Sequence, residues 1–433
     1  MRTSTHLLFC MLLLFLVACS KNSLSVSFTE SQTGGDVISV DEALNSLESF
    51  WDIAYGKTKT GRRLYNKEDI QLIKKHMILP SSKAVESSLP DTLLYLLNFE
   101  NNSGFAVLSA TRKLPDRIYA VTESGSMTAE DITKAYQLLN DERTKVGDPG
   151  DSTCIVWDES LVPALLVSAM VNGVTDPWII DPGDDEPGGG NPIHNTIYGP
   201  FVHTKWCQSA PFNNSTPDNA LAGCVAIATA QIMVCNKLSN IMYYDGTLCS
   251  WNDLESVYNY TSPFSAGTMS AQEQAAAFAY ELGKSYNCYV RYNQGSWAVA
   301  DGAKRTLENY GYSNVHKYSG FGDTNKNRAI TMLSNQKPVY LGGCPSGTLN
   351  DGHAWVLDGY FHKVNGDVSL RGEFFHINWG WHGAMDGYYA CGVFSTTARV
   401  MTSEGIDAYT ASLTIPDPQN YVWTYRMITY DLN

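Results

Sequence analysis

Gly223 and Cys224 open a stretch, Ala222 to Lys237, that reads as one helix. Val225, Ala226, Ile227, Ala228, Ala230, Ile232 and Met233 make it apolar or small on nearly every face. Such a helix is buried on most sides, and its alanines let neighbours approach closely. A cysteine in the first turn meets unpaired backbone N–H groups and the positive end of the helix dipole. Both favour thiolate over thiol, so a lowered thiol pKa and a reactive sulfur are expected. Gly223 leaves room for a substrate backbone. Buried cysteines are more often inert, so Cys224 alone does not define a site.

His353 supplies a candidate base, within Asp351-Gly352-His353-Ala354-Trp355-Val356-Leu357 at the start of an expected strand. Asn378 is the third element, within Phe374-Phe375-His376-Ile377-Asn378-Trp379-Gly380-Trp381. Between them lies Asn365-Gly366, the strongest short hairpin signal. His353 is 12 residues before Asn365 and Asn378 is 12 after Gly366, so a regular two-residue turn sets them opposite each other on one face. The asparagine carbonyl would then accept from the imidazole, fix its tautomer and aim its other nitrogen at a thiol. Trp379 would shield that bond from water. Gln208, after Trp206 and Cys207, is a candidate donor that completes an oxyanion hole with the Cys224 N–H.

These residues need elements to hold them. From Pro338 onward the pattern is β: Val339–Leu341, His353–His362, Gly372–Trp379, Gly387–Val393, Ala411–Ile415 and Tyr421–Tyr430. Ala271–Ser285 and Val299–Tyr310 read as further helices. Helices first and sheet second predict an α+β domain of two lobes with a cleft between them. Upstream, Ile38 to Met77 carries helical periodicity. Leu93–Phe99 and Phe105–Ser109 read as strands joined by the polar turn Asn101-Asn102-Ser103-Gly104. Arg117–Val121 reads as a strand and Thr128–Leu139 as a helix, which makes a smaller α+β unit. Between the units, Asp181 to Pro192 has no apolar side chain except proline and carries four acids. Such a segment buries nothing and offers accessible backbone to a protease.

The chain has 433 residues, 44% hydrophobic and 17% charged, with net charge −14. That is enough for two or more domains with a real core, and the acidic balance argues against a nucleic-acid partner. Leu7 to Val17 is an apolar run too short to span a bilayer and suited to a signal peptide. Leu16-Val17-Ala18-Cys19 ends it in the pattern of a bacterial lipoprotein signal, which predicts cleavage after Ala18 and a lipid on Cys19. The expected protein is therefore exported, either tethered to a membrane or secreted, and not membrane-spanning. Among 10 cysteines no C-x-x-C pair occurs, so no metal site of the common zinc spacings is expected. Seven cysteines lie in the second half, an odd number that leaves at least one free thiol in a monomer.

Gly223-Cys224-Val225-Ala226 through Ala230-Gln231-Ile232-Met233, then Gly352-His353-Ala354, then Asn378-Trp379-Gly380-Trp381 together resemble the streptopain family of papain-like cysteine peptidases. Trp206-Cys207-Gln208 with Pro211-Phe212-Asn213 resembles that family's oxyanion segment, and Gln294-Gly295-Ser296 a loop lining its cleft. Asn98 to Phe105 is more weakly similar to its propeptide. The resemblance implies a papain-like α+β catalytic domain over residues 196–433. It also implies a signal peptide over 1–18, an inhibitory prodomain over 19–180 and an activation linker over 181–195. Carried over by motif, Cys224 is nucleophile, His353 base and later acid, Gln208 the oxyanion donor, and Asn378 with Trp379 the orienting pair. Gly223, Gly295, Ser296 and Gly352 are placed at the substrate. No cofactor or metal is implied. Cys207, Leu221-Ala222 and Ile227 depart from the family's usual residues. The expected activity is endopeptidase action on polypeptides, with the prodomain as inhibitor. A catalytically silent peptide-binding module and an acyltransferase with the same Cys-His site are the other readings.

Overall fold

A computed structural model of the chain describes residues 35–56, 63–78, 89–114, 116–145, 161–175, 194–238, 242–244, 247–259, 266–345, 352–364, 372–394 and 423–432. The signal run with Cys19, the acidic linker before His194, the Asn365-Gly366 turn and the expected strand at Ala411–Ile415 lie outside them.

In the first half, Ser39 caps helix α1 (Val40–Ala54) by accepting the Glu42 N–H, and Asp41 and Glu42 occupy the first turn, where the dipole favours acids. Strand β1 (Gln71–Lys74) and the short helix α2 (Lys75–Ile78) follow. Then come β2 (Thr92–Asn98), β3 (Phe105–Ser109), β4 (Ile118–Thr122) and helices α3 (Ala129–Lys145) and α4 (Leu161–Thr175). The hairpin expected at Asn101–Gly104 is present, with Asn98 paired to Phe105 and Leu94 to Ser109. Helical periodicity over Ile38 to Met77 becomes a long helix only in α1. Gln71–Lys74 is instead drawn onto β2, where Ile73 pairs with Leu94 and is buried.

The second half begins with β5 (His194–Tyr198), whose first two residues fall at the end of the expected linker. Helix α5 (Cys224–Asn236) is followed by the hairpin β6 (Met242–Tyr244) and β7 (Thr247–Cys249). Next come α6 (Trp251–Ser256), α7 (Met269–Gly283), α8 (Ala300–Asn309), β8 (Ser313–Ser319) and α9 (Asp323–Ser334). Strands β9 (Val339–Pro345), β10 (His353–Val364), β11 (Gly372–Asn378), β12 (Gly387–Ala390) and β13 (Trp423–Asp431) complete the order. Helix α5 packs against α7 and α8 on one side and against β9 and β10 on the other. This is the α+β arrangement, a helical layer against an antiparallel sheet.

The described strands other than β6 and β7 form one antiparallel sheet, ordered β1-β2-β3-β4-β12-β11-β10-β9-β13-β8, with β5 also on β10. The two halves join where β4 meets β12, Val121 opposite Tyr388. Gly387 makes that junction possible, because a Cβ there would stand 2.5 Å from the Thr122 Cα. Helix α1 covers the sheet of the second half: the buried Phe50 ring meets Phe361, Phe374 and Tyr388 edge-on at 5.5, 5.2 and 5.6 Å.

The register of β10 and β11 corrects the sequence reading. Asn378 pairs with Val356, not with His353, and the register shifts again between Leu357 and Gly359. Most of the offset is already present where Lys363 pairs with Gly372, so more than a two-residue turn joins the strands, and a bulge at Asp358 changes the register by one residue. The buried Asp358 carboxylate turns to the Val202 N–H (3.2 Å) and to His376 Nδ1 (2.7 Å). A bulge re-aims one side chain at the expense of ladder continuity.

Candidate active site

Cys224 is the first residue of α5, and Gly223 before it has φ +91°. A Cβ on Gly223 would stand 3.0 Å from Val290 Cγ1 and 3.2 Å from the Ser296 carbonyl oxygen. The glycine therefore allows the turn and the close packing of the 290–296 loop, not the open space expected from sequence. That loop brings Ser296, which is buried, beside the nucleophile's turn. Gly295 has open space around its Cα, and Gly352 is exposed just before His353.

The Cys224 sulfur is met by the backbone N–H groups of Ala354, Val225 and Cys224 itself. Ala354 follows His353, so α5 delivers the thiol to the head of β10. Burial pushes the thiol above its ordinary range despite those donors. The lowered pKa expected from the helix dipole is thus reversed, because desolvation of a thiolate outweighs three neutral donors here.

His353 is buried, its ring stacked 4.8 Å from Trp381 and 6.2 Å from Trp355. Burial lowers its pKa to about 4, although its contact with the Trp379 carbonyl favours the charged form. Nε2 lies 2.7 Å from that carbonyl oxygen. A carbonyl only accepts, so in the neutral ring Nε2 carries the proton and Nδ1 is left as a base. Thiol and imidazole are both neutral in this arrangement.

Asn378 does not hold His353. Its Oδ1 accepts from Gln231 Nε2 (2.9 Å) and the Gly380 N–H (3.1 Å), and its Nδ2 donates to the Thr204 carbonyl (2.7 Å). The register shift places it beyond the imidazole, and the Trp379 main chain takes the acceptor role instead. The Trp379 indole donates to the Met385 carbonyl at 3.1 Å and stacks on Trp381 at 5.2 Å, which fixes the backbone that holds His353. Gln208 is half-buried, and its carbonyl accepts the Ala222 N–H at 2.9 Å. That bond ties the Gln208 segment to the turn before Cys224. Cys207 points its sulfur to the Ser209 carbonyl at 3.8 Å.

Sequence reasoning gave no role to Gln231, Trp381, or the buried charges Glu123, Lys205, Asp358 and His376. Gln231 did carry a signal. With Thr229 it is the only polar residue between Cys224 and Cys235, and a polar side chain buried on an apolar helix needs a partner. Cys207, Cys224, Cys235, Cys249, Cys288 and Cys391 are free thiols. Among the described residues, no group of three or more His, Cys, Asp or Glu is placed to hold a metal, and no helix is long and apolar enough to cross a membrane.

A thiol at the start of a buried helix, set against a histidine that opens an antiparallel strand, is the layout of the papain-like cysteine peptidase fold. Residues 206–389 match the Peptidase C10 family. The chain is 28% identical over 228 residues to streptopain of Streptococcus pyogenes serotype M1, covering 44% of this chain and 54% of that protein. It is 29% identical over 206 residues to the thiol protease/hemagglutinin PrtT of Porphyromonas gingivalis, covering 42% of this chain and 22% of that one. The chain thus spans about half the length, or less, of these curated relatives. Among solved structures, a prointerpain A fragment of Prevotella intermedia aligns with TM-score 0.42 and 18% identity, over 83% of this chain and 98% of that one.

Proposed function

We propose that this chain is a cysteine endopeptidase made as a latent, exported precursor. The observation that carries the reading is the Ala354 N–H on the Cys224 sulfur, which sets the thiol at the head of β10, the strand that His353 opens with its Nε2 held by the Trp379 carbonyl. In the reaction, Nδ1 takes the thiol proton and the sulfur bonds to the scissile carbonyl carbon. Gln208 and the Cys224 N–H hold the oxyanion. Collapse breaks the C–N bond, and His353 returns its proton to the departing amine. Water then attacks the thioester with His353 as base, the acid leaves and the thiol is restored.

Latency is supported by the same geometry, since a neutral, half-buried thiol and a neutral imidazole are poorly poised to ionise. The first half grips the loop that carries Trp381. Ser124 Oγ donates to the Gly383 carbonyl, Glu123 N–H donates to the Asp386 carbonyl at 2.7 Å, and Gly125 packs on Met385. In this reading residues 19–180 are the inhibitory prodomain, a cut within 181–195 releases the peptidase over 196–433, and a lipid on Cys19 tethers the precursor to a membrane. Gly295, Ser296 and Gly352 flank the substrate.

Incubation of the wild-type chain and Cys224→Ala with a denatured protein tests the activity. Fragments from wild type alone are expected. Cross-linked products would mark an acyltransferase, and no product after linker cleavage would mark a binding module.

A further inference from the structure

Gln231 stands seven residues, two helical turns, after Cys224 on α5, so the two share one face of the helix. Its carboxamide is fully buried and makes three hydrogen bonds to two distant parts of the site. Oε1 accepts from Thr204 Oγ1 and from the Trp206 N–H, both at 3.1 Å. Nε2 donates to Asn378 Oδ1 at 2.9 Å. The orientation is unambiguous. The Trp206 N–H can only donate, so it must face Oε1. Asn378 is fixed in the same way, by the Gly380 N–H on its oxygen and the Thr204 carbonyl on its nitrogen. Each amide is therefore locked by main-chain groups of fixed polarity.

Two consequences follow from what those partners lead to. Thr204 and Trp206 begin the segment that ends at Gln208, the proposed oxyanion donor. Asn378 precedes Trp379, whose carbonyl holds His353 Nε2. We infer that Gln231 is a positioning residue of the reaction: one side chain on the nucleophile's own helix sets both the oxyanion segment and the carbonyl that orients the base. This rests on the peptidase reading and adds a residue to it. Displacement of groups on this scale costs on the order of 10²-fold in rate when reacting geometry is lost by about 1 Å. Gln231 touches neither thiol nor imidazole, so binding of substrate should be largely spared.

The test compares wild type with Gln231→Met, which keeps the volume and removes every hydrogen bond, and Gln231→Glu, which keeps the two acceptor contacts and loses the donor. Thr204→Val serves as a milder, near-isosteric break should Gln231→Met fail to fold. In the Cys224→Ser background, ¹⁵N-histidine spectra of the full chain report the Nε2–H resonance of His353. With Cys224 intact, kcat and KM are read on a reporter peptide. The expected result is a shifted or broadened His353 resonance and a fall in kcat of about 10²-fold, with KM within about threefold. Thr204→Val should move both readouts the same way by less. An unchanged resonance and unchanged kcat, with only a lower Tm, would reduce Gln231 to a structural group and overturn the inference. Should wild type cleave nothing, the peptidase reading falls while the spectra still decide whether Gln231 positions His353.

Discussion

Glu123 Oε1 lies 3.5 Å from His376 Nε2, and both side chains are almost wholly buried. Glu123 follows β4 of the first half and His376 is on β11 of the second, so the contact joins the two. On the far side of the ring, Asp358 Oδ1 sits 2.7 Å from Nδ1, and Tyr55 donates to Glu123 at 3.1 Å. Burial opposes both charges, but Asp358 and Glu123 hold the imidazole up at about 10, while His376, Lys205 and Arg63 hold Glu123 down at about 2.

The sign of the pH dependence follows. A raised histidine pKa stabilises fully below its unfolded value, about 6.5, and the gain disappears as pH rises through about 10. A lowered carboxylate pKa stabilises fully above about 4.5 and is lost as pH falls through about 2. The full chain in the Cys224→Ala background should therefore be most stable between those limits and weaken towards pH 10. Glu123→Gln should cost about 3–5 kcal/mol, as for one partner of a buried pair, and flatten the alkaline decline. Denaturant titrations at pH 5.5 and 9.5 measure both, and equal losses at the two pH values would refute the ionic account.

Reactivity of Cys224 should separate precursor from product. In the intact chain, burial holds the thiol above its ordinary range and His353 down at about 4. Alkylation by iodoacetamide should be slow at neutral pH and rise only in the alkaline range. After linker cleavage a second, acidic limb should appear. An acidic limb already present in uncut protein would contradict the neutral pair.

Self-incubation should create a new N-terminus within residues 181–195 in wild type and none in Cys224→Ala. N-terminal sequencing reads the outcome. Full activity from an uncut chain would end the proposal of a latent precursor.

Phe50 anchors α1 on the rings of Phe361, Phe374 and Tyr388. Phe50→Ala should cost about 3–5 kcal/mol. It should also raise the rate of self-cleavage, since it weakens the hold of the first half on the second. A destabilised variant that converts no faster would separate stability from latency.

Gly223→Ala places a methyl against Val290 and Ser296 at a left-handed φ. A loss of roughly 1–3 kcal/mol is expected from backbone strain, with activity falling as α5 shifts. Thermal unfolding beside alkylation of Cys224 tests this, and a fully stable, reactive variant would contradict it.

Much of the site was legible because its residues sit at element boundaries that local chemistry marks. The apolar, alanine-rich run after Gly223 could only be a buried helix, and Cys224 had to lie at its start. His353 had to open a strand. The partner of His353 was not legible. Asn365-Gly366 suggested a two-residue turn, but Lys363 already pairs with Gly372, and a bulge at Asp358 changes the register by one residue. No local pattern encodes that pairing. The thiol pKa was misread for a similar reason: a helix start can be seen in sequence, whereas the depth at which it is buried cannot.

The residue order alone determined that a thiol would begin a core helix, that a histidine would begin a strand, and that an α+β architecture would hold them. Short-range hydrophobic period and turn chemistry suffice for that. Tertiary structure decided which groups meet: Trp379 rather than Asn378 at the imidazole, Gln231 between Thr204 and Asn378, and Glu123 against His376. Those pairings join residues from 26 to 253 positions apart, and their energies depend on burial and strand register, which the folded sheet sets as a whole.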